Sequence, residues 1–428
     1  MIELYREYLS DASFLYDQRQ ALLADPEVAW SDVDSFDERL EACLDGLVVG
    51  GELAIEVCKD RLETGDPGEA FAAIRVICRQ GLRETVLAIA GKLTVDELER
   101  LSGIVDGLKH DCPETWLNDL AGMDLSDAQL ILFARVAGYR RWKRAAARLA
   151  AALPSASLAA VPDVLWAMGR TGTAQMKNAL VPRLRDPDER IRVRAADGLL
   201  ALGDPSIGNL CDASAAGEPW APRIGAVAGG SAARAVLQAI AVSRNSSSEA
   251  IVALGMLGDA KTVPVLIDLL ARGVHPDACA QALDLIVGAG VRETVFVPEP
   301  AVADEDGATS APQLRPDGKP YGSTVNRLSL NPEQWRKRWD ECAHNFKPNV
   351  RYRLGQFWSP ETVLSTIEAP CTPARIRVWS ANELHLHFGY EWPFEIEMPV
   401  KEQLGLLAAA RSWVTANAGR FPSQHQLS

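Results

Sequence analysis

The sequence has no CxxC pair among its eight cysteines, no histidine cluster, and no run of eighteen apolar residues. Cysteines at 43, 58, 78, 112, 211, 279, 342 and 371 are too scattered for a zinc site or a disulfide scaffold. They are expected to be small, mostly buried, reduced side chains. Only His385 and His387 lie close together, and an i,i+2 pair shares a face on a strand but not on a helix. No metal site is expected there. HExxH, GxSxG, a P-loop and a GxGxxG with an acidic partner are all missing, so no catalytic residue, cofactor or enzymatic activity is expected. The missing apolar run argues against a membrane span. The opening MIELYREYLSDASFLYDQR has no signal-peptide core, so the expected location is cytoplasmic.

Positive charge is scarce in one place. Residues 1–70 hold eighteen Asp or Glu against five Lys or Arg, while the remainder holds thirty-nine of each. The first sixth of the chain therefore carries the whole net charge of −13. Acidic surface repels phosphate backbones and attracts basic partners, which argues against direct nucleic-acid binding.

What is present in quantity is a helical repeat. LVPRLRDPDERIRVRAADGLLALGD, from Leu180 to Asp204, reads as two helices joined by Asp186-Pro187-Asp188. Asp caps free backbone N–H groups and Pro suits a first helical turn. Ile191, Ala195, Leu199 and Leu202 follow at helical spacing, and Gly203 ends the helix. Glycines at 50, 81, 107, 138, 169, 203, 230, 258 and 288 recur at intervals of 26 to 34 residues and are read as helix ends. Glu249 to Gly290 repeats the pattern best. Leu257–Asp259 matches Leu202–Asp204, and Val263-Pro264-Val265-Leu266 matches Val181-Pro182-Arg183-Leu184. A period near thirty with two helices per unit predicts an all-α solenoid.

These units resemble HEAT-like repeats of the short bacterial type, also found in phycobilisome lyases, closely over 160–290 and degenerately over 36–160. The resemblance implies a HEAT-like right-handed α-solenoid of about eight to nine helical-pair repeats. The expected organisation is an N-terminal helical cap at 1–35, the solenoid at 36–297, a linker or mobile insertion at 298–332, and a mostly helical region at 333–428. The stretch from 298 to 332 is Pro-, Gly- and Asp-rich and has few core-forming residues. In the cap, Leu4, Tyr8, Phe14, Leu15 and Leu22 are available for burial. Six of the eleven tryptophans fall beyond the linker, as a small core or a partner-facing patch. Residues 374–388 read equally as helix or strand.

The acidic surplus has structure of its own. Between Phe36 and Val49, the residues Phe36, Leu40, Cys43, Leu44, Leu47 and Val48 form a core stripe, with Glu38, Glu41 and Asp45 on an outer face. Asp34 and Asp37 lie near the helix start, where the helix dipole alone favours them. A second stripe, Glu52, Glu56, Asp60 and Glu63, follows at spacings of four, four and three. These nine residues are the candidate partner-binding set, and a solvated surface is the alternative. The basic runs Arg140, Arg141, Lys143, Arg144, Arg148 and Arg183, Arg185, Arg190, Arg192, Arg194 are read as ion pairing within and between repeats.

Trp335 to Trp339 followed by Tyr352-Arg353-Leu354-Gly355, behind degenerate repeats, is similar to an uncharacterised proteobacterial family with HEAT-like repeats. That resemblance implies a role near type VI secretion loci and supplies no catalytic residue. The expected function is an immunity protein that binds a secreted toxin or effector, such as a basic nuclease domain, through the acidic surface. An adaptor or chaperone for effector loading is the alternative. A HEAT-like enzyme of lyase or DNA glycosylase type ranks below both.

Overall fold

A computed structural model describes residues 1–25, 28–298, 315–316 and 318–421. The fold is an all-α helical-repeat solenoid with two short strand pairs among the described residues. The helices of the first half are α1 (Ile2–Ala24), α2 (Asp34–Val49), α3 (Gly51–Thr64), α4 (Pro67–Arg79), α5 (Arg83–Lys92), α6 (Leu98–Asp111), α7 (Glu114–Gly122) and α8 (Asp127–Tyr139). Then come α9 (Ala146–Ala152), α10 (Val161–Thr171), α11 (Lys177–Leu180), α12 (Glu189–Ala201), α13 (Ala221–Ala228) and α14 (Ser231–Val242). The rest are α15 (Ser248–Leu257), α16 (Val263–Ala271), α17 (Pro276–Val287), α18 (Pro332–Cys342), α19 (Pro360–Glu368), α20 (Ala374–Phe388) and α21 (Val400–Ala416). The strands are β1 (Arg292–Pro298), β2 (Gly322–Leu328), β3 (Tyr352–Arg353) and β4 (Gln356–Phe357).

Local chemistry explains many of these limits. Asp66 and Glu69 form a capping box around Pro67 at the start of α4. The Asp188 side chain accepts from Arg190 N to start α12, as the sequence predicts. The segment before it is less regular than expected: Lys177–Leu180 is one α-turn, and Val181–Arg185 is a 3-10 turn carrying Pro182.

The glycine ladder has two physical origins rather than one. Gly81, Gly203, Gly258 and Gly288 take φ of +72°, +72°, +71° and +62° at helix ends, as expected. Gly107, Gly138 and Gly169 instead lie inside α6, α8 and α10. A Cβ on Gly169 would fall 2.2 Å from the Gly198 carbonyl oxygen of α12, and one on Gly138 would fall 2.4 Å from the Trp166 ring. These glycines let neighbouring repeats approach closely. They recur at the repeat interval because the crossing point does.

The chain divides into two compact units, 1–236 with 359–421 and Leu237–Trp358. In the first unit α4, α6, α8, α10, α12 and α13 pack in succession, each against the next. The tail joins this stack: α20 packs on α12 and α13, α19 on α20, and α21 on α19 and α2. On α1 the buried face is Tyr5, Leu9, Ala12, Tyr16 and Arg19, with Leu15 beside it. Leu4 and Phe14, expected inside, are exposed. Residues 374–388 are helical. Trp379 and Trp392 are buried and Trp413 is half-buried, so in this unit the tail tryptophans build core.

In the second unit α15 and α16 pack on α17, and α18 packs on α16. The expected linker is only partly one. Residues 299–314 and 317 lie outside the described residues, but β2 pairs antiparallel with β1 in the register Arg292↔Leu328 to Pro298↔Gly322. A two-stranded ribbon is held by backbone hydrogen bonds, so its low apolar content concealed it. The Tyr352–Gly355 motif caps helices. Tyr352 N donates to Gly258 O (2.8 Å), Leu354 N to Leu285 O (2.7 Å), and the fully buried Arg353 reaches Met256 O (2.8 Å). It satisfies carbonyls that α15 and α17 leave open at their C-terminal ends.

Candidate functional site

The nine candidate acidic residues separate into two groups. Glu38 on α2 and Glu52, Glu56, Asp60 and Glu63 on α3 are exposed, and Asp34 is half-buried. Glu63 is bonded to Lys92 (2.7 Å), whose ammonium lowers its pKa, and Asp60 lies 4.0 Å from Arg61. Glu38, Glu52 and Glu56 have no cationic partner within 4.0 Å among the described residues.

Asp37 belongs to the other group. It shares the buried face of α2 with Leu40, Leu44 and Leu47, a 3-4-3 spacing readable in the sequence. One oxygen pairs with Arg19 at 2.5 Å, and the other accepts from Val400 N at 2.7 Å. Glu41 is bonded to Arg75 and Arg79, both at 2.7 Å, and Asp45 lies 3.4 Å from Arg79. Asp111 joins the same two arginines. Asp37 is therefore a buried structural charge, while Glu41 and Asp45 are engaged by the arginines of α4.

The inner charges are completed by a segment that sequence reasoning passed over. Gly389–Pro399, between α20 and α21, is irregular and lies against the ends of α6, α8 and α10. Its Trp392, Phe394 and Met398 are buried, and the two rings stack at 4.7 Å. Its carboxylates meet cations at the helix ends: Glu391 with Lys143 (3.0 Å), Glu395 with Arg141 (3.6 Å) and Arg170, and Glu397 with Lys109 (2.9 Å). Arg19 donates to the carbonyls of Glu397 (3.0 Å) and Met398 (2.9 Å). Cations suit helix C-terminal ends, where backbone carbonyls gather partial negative charge. Lys109, Arg140 and Arg170 recur at about the repeat interval for that reason, and EWPFEIE is the acidic, aromatic complement that gave the signal.

Electrostatics follow from this packing. Burial opposes the Lys109 cation, but Glu397 and Asp106 outweigh it and raise its pKa. Burial and then Asp106, which accepts from the hydroxyl at 2.7 Å, push Tyr16 far up. His110 sits between Phe71 (6.2 Å) and Tyr139 (5.6 Å), and burial followed by Arg75 holds it well below its usual value. The unfolded chain takes up that proton near pH 6.5, the folded chain much lower. The contribution of His110 to stability is complete above pH 6.5 and falls below it by about 1.4 kcal/mol per pH unit. His110→Gln is expected to lose stability less steeply than the parent in urea melts between pH 6.5 and 5. Parallel slopes would discard this assignment.

No group of three or more His, Cys, Asp or Glu among the described residues is placed to hold a metal ion. His387 Nε2 donates to Val227 O (2.7 Å), and His385 packs on Gly203, so the pair serves helix contacts. The cysteines are unpaired and mostly buried, with the Cys58 thiol pushed up to about 12 by burial. No helix of the described residues is long and apolar enough to cross a membrane. Comparison with protein-family models, curated proteins and solved structures gives no match.

Proposed function

We propose that this chain is a non-catalytic, protein-binding solenoid whose acidic face on α2 and α3 docks a basic domain, as an immunity protein blocks a secreted toxin. The observation that carries this reading is the exposure of Glu38, Glu52 and Glu56 without cationic partners, beside Glu41 and Glu63, which have them. Like charges four apart on a helix destabilise it by a few tenths of a kcal/mol. Glu52, Glu56 and Asp60 have that spacing; the helix dipole favours Glu52 in the first turn of α3, but Glu56, in mid-helix, has no such support, which favours a use outside the fold. A repeat surface offers an extended docking area without a deep pocket. Its charge chiefly sets the association rate and specificity.

The test is co-expression with the product of the adjacent gene, assayed as a toxin. The reading requires co-purification, rescue of growth, and loss of toxin activity in the complex. An active toxin in the complex would instead make the chain a loading adaptor. The triple change Glu38→Lys, Glu52→Lys, Glu56→Lys is expected to alter stability by less than about 0.5 kcal/mol. It should slow association about tenfold at low salt, less at high salt. Unchanged association in a stopped-flow assay would remove α2 and α3 from the interface.

A further inference from the structure

We propose that the turn Arg140–Arg144, between α8 and α9, forms a binding pocket for a phosphate group, free or as a phosphomonoester. An open cavity of about 280 Å³ lies between this turn and the start of α7, lined by Glu114, Leu117 and every residue of the turn. Pockets for larger organic ligands begin at roughly 300 Å³, so this one suits a small anion or a compact ester.

The charges do not cancel. Arg140 is committed to the end of α6, donating to the carbonyls of Lys109 (3.0 Å), His110 (3.0 Å) and Cys112 (2.9 Å). Lys143 has only its exposed pairing with Glu391, and Arg141 lies at a loose 3.6 Å from Glu395. Arg144 is exposed and has no carboxylate within 4.0 Å among the described residues. Around the cavity itself four cations, Arg140, Arg141, Lys143 and Arg144, face one carboxylate, Glu114. Burial holds Arg141 below the usual arginine value, and burial with Arg141 beside it does the same to Arg170. An added anion would relieve that excess. Two guanidiniums and an ammonium around one cavity match phosphate oxygens.

The backbone supplies an independent reason. Arg141 N donates to Gly138 O (3.2 Å) and Trp142 N to Ala137 O (2.9 Å), a helix-ending pattern with φ of +47° at Arg141. The same bond pair closes α4 at Gly81 (φ +72°) and α16 at Gly273 (φ +70°). Two sister turns use glycine where this one holds arginine in a conformation that glycine adopts freely. An unfavourable residue kept at such a place points to what its side chain does. The weak pair with Glu395 is the structural alternative, and the two differ in outcome.

The experiment is calorimetric titration of the full chain with inorganic phosphate, and separately glucose 6-phosphate, at constant ionic strength. One saturable site is expected. Arg144→Gln and Arg141→Gly should each weaken it at least about tenfold, the loss of one charge-assisted hydrogen bond. Arg141→Gly should keep or raise the melting temperature, because glycine relaxes the turn. Arg185→Gln, an exposed arginine on another turn, should leave the affinity unchanged. Tighter binding of the ester identifies a phosphomonoester as the occupant, and equal affinity identifies the free ion. No saturation with either probe overturns the proposal, as does equal loss in Arg185→Gln. So does an Arg141→Gly chain that is less stable but binds phosphate like the parent. Should Arg141→Gly not fold, Arg144→Gln decides alone.

Discussion

Asp37→Ala is expected to destabilise the protein by about 3–5 kcal/mol, the usual result of removing one partner from a buried ion pair. The Asp37 and Arg19 side chains are only 9% and 7% exposed. Truncation leaves the Arg19 guanidinium without its counter-charge and Val400 N without its acceptor. The two carbonyls that Arg19 also reaches, of Glu397 and Met398, carry no net charge and cannot compensate. Glu38→Ala, one residue away on the exposed face, should change stability by less than about 0.5 kcal/mol. Urea midpoints of the two variants measure the contrast. A cost below about 1 kcal/mol for Asp37→Ala would show that the pair is not desolvated and would return Asp37 to the docking set.

Gly169→Ala is the second large effect, with an expected loss of about 3 kcal/mol from overpacking. The new methyl would stand 2.2 Å from the Gly198 carbonyl oxygen and 2.3 Å from its Cα. Both neighbours are backbone, so relief requires α10 and α12 to move apart. The same change at Gly405, within α21 and with nothing inside 4 Å, should stabilise by about 0.5–1 kcal/mol through helix propensity. Opposite signs for one chemical change would separate the two roles of glycine in this chain. A neutral Gly169→Ala in thermal or urea melts would refute the close crossing.

These examples show what the sequence made legible. Periodic Leu and Ala, the cap at Asp188, and the recurring glycines announce helices and their period, because such signals are local. Gly107, Gly138 and Gly169 kept the period but misled about cause: a crossing glycine and a terminating glycine look alike until the neighbouring helix is placed. Asp37 was legible as core by its spacing with Leu40, Leu44 and Leu47, yet its acidic neighbours drew it into the surface stripe. Pairings between residues hundreds of positions apart, such as Arg19 with Glu397 or Lys109 with Glu397, leave a compositional trace in EWPFEIE but nothing local that names the partner. The exposed carboxylates Glu38, Glu52 and Glu56 were readable because amphipathic spacing separates inner from outer faces.

The first unit is discontinuous in the chain, and that imposes an order on its birth at the ribosome. Residues up to Val236 emerge first, and Leu237–Trp358 must follow before the segment that meets Arg19, Lys109, Arg141 and Arg170 exists. At translation rates of roughly 5–20 residues per second, the wait is on the order of ten seconds. During that interval Arg19 has Asp37 and Lys109 has Asp106, but Arg141 and Arg170 wait without Glu395, and the helix ends that the late segment covers stay open to water. Chains ending before Met398 would stay in this state permanently.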